Sequence, residues 1–319
     1  MARNEERDLL RQTVAALVDR HAGPEAVRAA MESERGYDES LWQLLCEQVG
    51  AAALVVPEEL GGAGGELGDA AVVLEELGKA LVPTPLLGTI LAELALLAAP
   101  EPDADTLENL AAGATIGTVV FGDDNTALNG DVLGPDDVVI GAQDGQLQRW
   151  TAFRAEPLAT MDPTRRLGRI TAEASAPIGA DPGIADYAAI LLAAEQIGTA
   201  ARCLDLTVEY TKSRVQFGRP IGSFQALKHR MADLFVAVSA ARAVVDDAIA
   251  EPTPTSAALA RVVASEALSK VAGEAVQLHG GIAITWESDI QLYFKRAHGS
   301  SQLLGLPAEH LRRLQAEVL

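Results

Sequence analysis

The sequence predicts a mainly α-helical protein with a small β domain in the middle of the chain. Three observations carry this. The chain is 49% hydrophobic but only 4% aromatic, and its apolar mass is mostly Ala, Leu and Val. Ala and Leu lose little side-chain freedom in a helix. Apolar residues recur at helical spacing in the first and last parts of the chain. Between them lie short β-prone runs separated by Gly, Asp, Asn and Pro.

The first part, residues 1–112, reads as a helical domain. Leu10, Val14, Leu17 and Val18 share one helical face. A second helix is expected around Glu39 to Val49. A third is expected around Asp69 to Leu81, with Val72, Val73, Leu77 and Leu81 on one face. Pro57 to Gly68 reads as a glycine-rich loop. No strand with a phosphate-loop pattern precedes it. The middle part, residues 113–184, is expected to be a reduced antiparallel β domain built from Thr115 to Phe121, Asp137 to Ile140, Leu147 to Trp150 and Leu167 to Thr171. The last part, residues 185–319, reads as a four-helix-bundle domain. Asp186 is expected to cap a helix reaching Ser213. Ser223 is expected to cap the next, with Phe224, Leu227, Met231, Leu234, Phe235 and Val238 on one side. Glu251 to Thr255 interrupts the pattern. Further helices are expected over Ser256 to Leu278 and Pro307 to Val318.

The net charge of −20 argues against nucleic acid, which needs clustered Lys and Arg, and against an anionic membrane surface. The two cysteines, Cys46 and Cys203, lie far apart in helical patterns, as expected of a chain in a reducing cytoplasm. The N-terminal residues lack the apolar core of a signal peptide, and no apolar run is long enough to span a membrane. His279 and His298 have no carboxylate or Cys at ligand spacing, so no metal site is expected. No Gly-x-Ser-x-Gly context supports acyl transfer by serine.

Three stretches carry a likeness to known proteins: LVVPEELGGAGG with VVLEELGKALVPTP (residues 54–65 and 72–85), SRVQFGRPIGSFQALKHRMADL (213–234) and VQLHGGIAITWESDIQLYFKRA (276–297). Together with the helical, β, helical layout they resemble the acyl-CoA dehydrogenase family. By its residue chemistry alone, Arg214 at a helix end suits a pyrophosphate, Phe217 offers a flat apolar surface and Gln225 a donor and acceptor. The alternative is that Arg214 pairs with a nearby carboxylate and Phe217 is core. Gly280 and Gly281 allow close backbone approach to a ligand, or simply end a helix. The resemblance implies that Arg214, Val215, Gln216, Phe217, Phe224, Gln225, Gln277, Leu278, His279, Gly280 and Gly281 hold FAD. In the family these elements reach across a dimer interface to the ADP portion of an FAD whose flavin lies in the other subunit.

Family segments of the type L-T-E-P-x-A-G-S-D and K-x-W-I-T-N, which line the flavin and the thioester, are missing from residues 113–180. Trp150, in LQRWTAF, fits neither. The family's catalytic base is a Glu in one of two positions, which fall here near Gly305 and near Ala188. Neither is acidic, Ala185 to Ala194 holds only Asp186, and Ser300 to Pro307 holds no acid. Glu195 sits in an apolar helix face, where it is either a base tuned by burial or a hydrogen-bonded structural carboxylate. Glu287 and Asp289 read as first-turn helix residues.

The resemblance therefore implies the short subunit of a heteromeric acyl-CoA dehydrogenase that lacks its own catalytic base. A longer catalytic subunit would be its partner in an α2β2 assembly, of the kind associated with actinobacterial steroid and cholesterol degradation. The expected substrate is a steroid-derived acyl-CoA. Two other readings are a self-sufficient homo-oligomer with Glu195 or Glu287 as an unusual base, and a non-enzymatic scaffold.

Overall fold

The computed structural model describes residues 2–122 and 125–318. The first run of helices is α1 (Ala2–His21), α2 (Pro24–Glu32), α3 (Glu39–Leu44), α4 (Leu67–Lys79), α5 (Leu86–Leu97) and α6 (Ala104–Ala111). Val14, Leu17 and Val18 of α1 are buried, as the sequence pattern requires. α3 runs into a π-helical turn, Leu45–Val49, closed by Gly50 in the left-handed conformation. A side-chain capping box between Glu66 and Asp69 starts α4. The expected loop over Pro57 to Gly68 holds a short 3-10 turn, Glu58–Leu60, and Gly68 already belongs to α4. α2, α5 and α6 escape the sequence pattern. α5 reads LLGTILAELALL and is buried on nearly every side, so it has no polar face to reveal its period.

The middle sheet contains β1 (Gly117–Phe121), β2 (Thr126–Leu128), β3 (Val138–Gln143), β4 (Gln146–Leu158) and β5 (Leu167–Ala180), in the order β1-β3-β4-β5-β2. β1 and β3 pair in parallel, Gly117 opposite Val138, which corrects the expectation of a wholly antiparallel unit. The chain leaves β1, adds β2 at the far edge and returns to β3 in the direction of β1. The short β3–β4 turn makes a tight hairpin. Trp150 packs in a small core with Val120, Ala127, Val139 and Ile170. A Cβ on Gly141 would lie 2.5 Å from the indole nitrogen of Trp150, so only glycine leaves room for that ring.

The last run is α7 (Ile184–Ser213), α8 (Gln225–Ala250), α9 (Pro254–His279), α10 (Ile290–Gln302) and α11 (Pro307–Val318). α9 is central and packs on α7, α8, α10 and α11. Several expected details change. Asp186 does not cap α7. Asp181 accepts from the N–H groups of Gly183 (2.8 Å) and Ile184 (2.9 Å), and Asp186 pairs with Arg313. Ser223 does not cap α8, because its hydroxyl donates to the carbonyl of Pro220 at 2.7 Å. Phe235 is 65% exposed while Leu234 and Val238 face the core. Glu287 lies in the turn before α10 rather than in it, and Asp289 occupies the N-cap without a capping bond. α9 is capped by Thr253, whose hydroxyl accepts from Ser256 N–H at 3.0 Å.

α4 and α7 cross at van der Waals closeness through two glycines. A Cβ on Gly198 would stand 2.0 Å from the carbonyl oxygen of Glu75, and one on Gly78 would stand 2.4 Å from that of Glu195. Both obstacles are backbone atoms inside helices and cannot swing away. This crossing fixes α7, and with it Glu195, against the first helical run. Gly198→Ala is expected to destabilise the protein by about 1–3 kcal/mol through overpacking, read as a lower denaturation midpoint in urea. A variant as stable as the parent would show that the helices can separate freely.

Candidate functional site

Two helix C-termini meet at one end of the bundle. α7 stops at Ser213, and the N–H of Arg214 donates back to the carbonyl of Tyr210 at 2.8 Å. A minimal hairpin follows, β6 (Val215–Gln216) and β7 (Arg219–Pro220), with Val215 opposite Pro220 and Gln216 opposite Arg219. Its two central residues, Phe217 and Gly218, have φ of 53° and 76°, the double positive φ that a tight two-residue hairpin turn demands. Glycine adopts this freely, whereas a phenylalanine pays about 1–2 kcal/mol. The strained ring is 93% exposed. It stands edge-on to Phe224 at 6.2 Å, and the guanidinium of Arg219 lies 3.9 Å over the Phe224 ring. α8 starts directly after Phe224 with no side-chain cap, leaving its first N–H groups and its positive dipole end available.

α9 ends at the same place. Gly280 closes it at φ 68° and ψ −148°, a backbone that other residues avoid. A Cβ on Gly280 or Gly281 would meet nothing within 4 Å, so this backbone is open to a ligand. The ring of Tyr210 stacks on His279 with centroids 4.1 Å apart, which brings the two segments singled out in the sequence together. Arg214 is exposed and makes no ion pair among the described residues. The alternative in which Arg214 pairs with a carboxylate and Phe217 is core is therefore overturned. Val215, Gln216, Gln225 and Gln277 are also exposed and Phe224 is half-buried. The side chain of Leu278 is buried, so only its backbone can reach a ligand. His279 donates from Nδ1 to the carbonyl of Ala275 at 2.9 Å, and burial pushes its imidazole pKa down. An unpaired guanidinium, exposed aromatic and amide side chains, an uncapped helix start and open glycine backbone together fit an anionic dinucleotide such as the ADP portion of FAD.

The interior junction of the three runs is closed. Glu195 of α7 accepts hydrogen bonds from both Arg165, on the β4–β5 connection, and Arg296 of α10. Arg296 Nε also pairs with Asp162 at 2.9 Å, and Arg165 Nη1 donates to the hydroxyl of Ser300 at 2.6 Å. All of these side chains are buried. Burial alone would raise the Glu195 carboxyl, but the two guanidiniums outweigh it and hold the group below its ordinary value. The cavity beside this cluster has a volume of about 20 Å³, room for a single water. Sequence reasoning singled out Glu195 but missed its partners. The distance along the chain between residues 162–165 and 296 hides them.

The positions expected for a base behave as ordinary core and turn. Ala188 is fully buried. Gly305 lies in a turn held by Arg261, which donates to the carbonyls of Ser300 and Leu303 at 2.7 Å each. A cavity of about 110 Å³ beside that turn is lined by Leu91, Thr118, Leu128, Leu304 and Gly305, with no acid among the described residues. Glu287 is exposed. Among the described residues no group of His, Cys, Asp and Glu could hold a metal, and no helix is long and apolar enough to cross a membrane.

Comparison with known proteins accords with this layout. Residues 4–114 match the N-terminal domain, and residues 184–319 the C-terminal domain, of acyl-CoA dehydrogenases. The chain is 70% identical to acyl-CoA dehydrogenase IpdE2 of Mycobacterium tuberculosis, over 98% of each chain. Among solved structures it is similar to the Tcur3481-Tcur3483 steroid ACAD, with a TM-score of 0.90 and 28% identity over 99% of this chain and 98% of the other. It is also similar to the ChsE4-ChsE5 complex of Mycobacterium tuberculosis, with a TM-score of 0.86 and 26% identity over 98% of this chain and 96% of the other.

Removing the Glu195 charge strands two buried guanidiniums with a single remaining acid. Glu195→Gln is expected to cost about 3–5 kcal/mol, measured by urea denaturation near neutral pH. The pH dependence has a fixed sign. The folded-state pKa of Glu195 lies below its usual 4.5, so its stabilisation is complete above that value and is lost as pH falls through the folded-state pKa. The parent protein should therefore lose this increment on acidification, and the Gln variant should lack that part of the slope. A Gln variant with unchanged stability near neutral pH would refute the structural role.

Proposed function

This chain belongs to the acyl-CoA dehydrogenase family, and from that premise we propose that it is the short subunit of a heteromeric, FAD-dependent enzyme, lending the ADP-side half of an FAD site to a longer catalytic partner. The observation that carries this is a contrast within one molecule. The interior junction around Glu195 is filled by a paired ionic cluster, while the helix-end cluster around Arg214 is open and makes no ion pair among the described residues. The similarity to a structure described as a complex, ChsE4-ChsE5, supports a partner. The similarity to a steroid ACAD supports a bulky, steroid-derived CoA thioester as substrate.

When bound, FAD supplies the acceptor for the β-hydride removed during α,β-dehydrogenation. Within this chain, Arg214 would clamp the pyrophosphate, aided by the uncapped start of α8. Phe217 and Phe224 would cover the ring systems. Gln225 and Gln277 would satisfy polar edges, and the backbone after Leu278 and His279, at Gly280 and Gly281, would approach closely enough to orient the adenine end. Removal of the α-proton would fall to a Glu of the partner. In this chain two guanidiniums donate to the same oxygen of Glu195, and a carboxyl held below its ordinary value by them makes a poor base. A self-sufficient enzyme would need Glu195 or Glu287 to act, and Glu195→Gln or Glu287→Gln would then abolish turnover in flavin-loaded protein.

Two measurements test the reading. The chain expressed alone should be nearly colourless, while co-expression with its long partner should give a yellow complex. A stoichiometric yellow protein from the chain alone would overturn it in favour of a self-sufficient enzyme, and a chain that never yields flavin with any partner would favour a scaffold. In the complex, Arg214→Ala should cost about 1.5–3 kcal/mol of FAD binding through loss of a charge-assisted contact, which is roughly ten- to a hundredfold in affinity, with little change in subunit stability. Full flavin occupancy in the variant would remove Arg214 from the site.

A further inference from the structure

We propose that Tyr210 is a positioning residue for the ADP half-site, tying together the two segments that reach the cofactor. The inference rests on the function proposed above and adds a residue that neither motif contains. Arg214 and Gly280 begin the two binding elements, yet they lie on different helices and far apart in the chain. Tyr210 touches both helix ends. Its carbonyl accepts the N–H of Arg214 at 2.8 Å. Its hydroxyl donates to the carbonyl of His279 at 3.3 Å, and its ring stacks on the His279 imidazole with planes 20° apart.

The last carbonyls of a helix have no partner within the helix. That of His279 is satisfied from outside, by the Tyr210 hydroxyl. Beyond it the Gly280–Gly281 backbone has open space where side chains would be, so few contacts of its own direct it. Its departure angle is set by how His279 is held. The imidazole is anchored on one side by Nδ1 to Ala275 and on its face by Tyr210. The next segment of the other element is fixed from the same point, because the carbonyl of Arg214 accepts the N–H of Ile221 at 2.8 Å and closes the base of the hairpin bearing Phe217. The Tyr210 side chain thus ties the last turn of α7, whose backbone leads directly into Arg214, to the end of α9 and the glycine turn that must grip the same ligand. Preorganisation of this kind appears as affinity for the ligand rather than as chemistry at a distant centre.

The test is FAD titration of the apo-complex, formed with the long partner subunit, followed by flavin fluorescence for the parent, Tyr210→Phe, Tyr210→Ala and Arg214→Ala. Tyr210→Phe keeps the stack and removes one hydrogen bond, so affinity should fall roughly two- to tenfold. Tyr210→Ala loses the stack as well and should fall further, roughly ten- to a hundredfold. Turnover per bound FAD should stay unchanged in both, and the melting temperature of the apo-complex should not move with Tyr210→Phe. A merely structural tyrosine would lower the melting temperature and leave FAD affinity alone. If Arg214→Ala weakens FAD while Tyr210→Phe binds it within twofold of the parent, the positioning role is overturned and the half-site stands, whatever becomes of Tyr210→Ala. If Arg214→Ala also binds FAD normally, both readings fall together.

Discussion

The arrangement of the molecule depends on one buried carboxylate. Glu195 stands where α7 meets α10 and the β4–β5 connection, and it answers two guanidiniums at once. Taking these charges out of water costs several kcal/mol per ion, and their attraction repays it only when geometry is good and remaining donors are satisfied. Here the donors are spent on Asp162, on the hydroxyls of Thr164 and Ser300, and on backbone carbonyls. The contacts join the middle run (Asp162, Thr164 and Arg165) to the last run (Glu195, Arg296 and Ser300), so those two must dock for all of the charges to be compensated. The Gly78–Gly198 crossing serves the same end, since only a side-chain-free contact lets α7 sit deep enough to place Glu195 among its partners.

That closure has a functional consequence. An acid to which two arginines donate is held toward its charged form, and the cavity beside it is too small for a ring system. The chemistry-bearing residues that remain available lie at the other end of α7. Within a chain of net charge −20, the segment from Lys212 to Lys228 carries Lys212, Arg214, Arg219 and Lys228 and not a single acid. A local basic end on an acidic body attracts a phosphate while keeping the rest of the surface unattractive to anions.

Legibility in the sequence followed chemistry more closely than geometry. α7, α8 and α9 announce themselves through long apolar periods, and Arg214, Phe217 and the Gly280–Gly281 pair stand in motifs that can be recognised as strings. α5 stays hidden because it is apolar on every side, and the parallel β1–β3 pairing because strand direction depends on where β2 is placed. Cap assignments for Asp186 and Ser223 failed because a capable residue one turn earlier, or a nearer carbonyl, competed for the same hydrogen bond. The partners of Glu195 could not be read at all, since Arg165 and Arg296 look like surface cations until the fold brings them inward. Tyr210 was the one legible omission. It sits one helical turn before Arg214, on the face that the helix end must present to its neighbour.

The same end of the bundle poses an electrostatic problem that its residues resolve. α7 and α9 both finish there, and helix C-termini carry partial negative charge, which by itself would repel a pyrophosphate. Three features offset it. The Tyr210 hydroxyl occupies the terminal carbonyl of His279 and the Arg214 N–H occupies that of Tyr210, so two of the most exposed negative dipole ends are turned inward. α8 begins in the same space without a side-chain cap, and a helix start offers roughly half a unit of positive charge. Arg214 then adds a full charge, and its value depends on having no carboxylate partner among the described residues. In a chain with 45 acids against 25 Lys and Arg, an arginine without an acidic partner among the described residues keeps its full charge for a ligand. An intrachain partner would have cancelled the one charge able to reverse the sign of two converging helix ends.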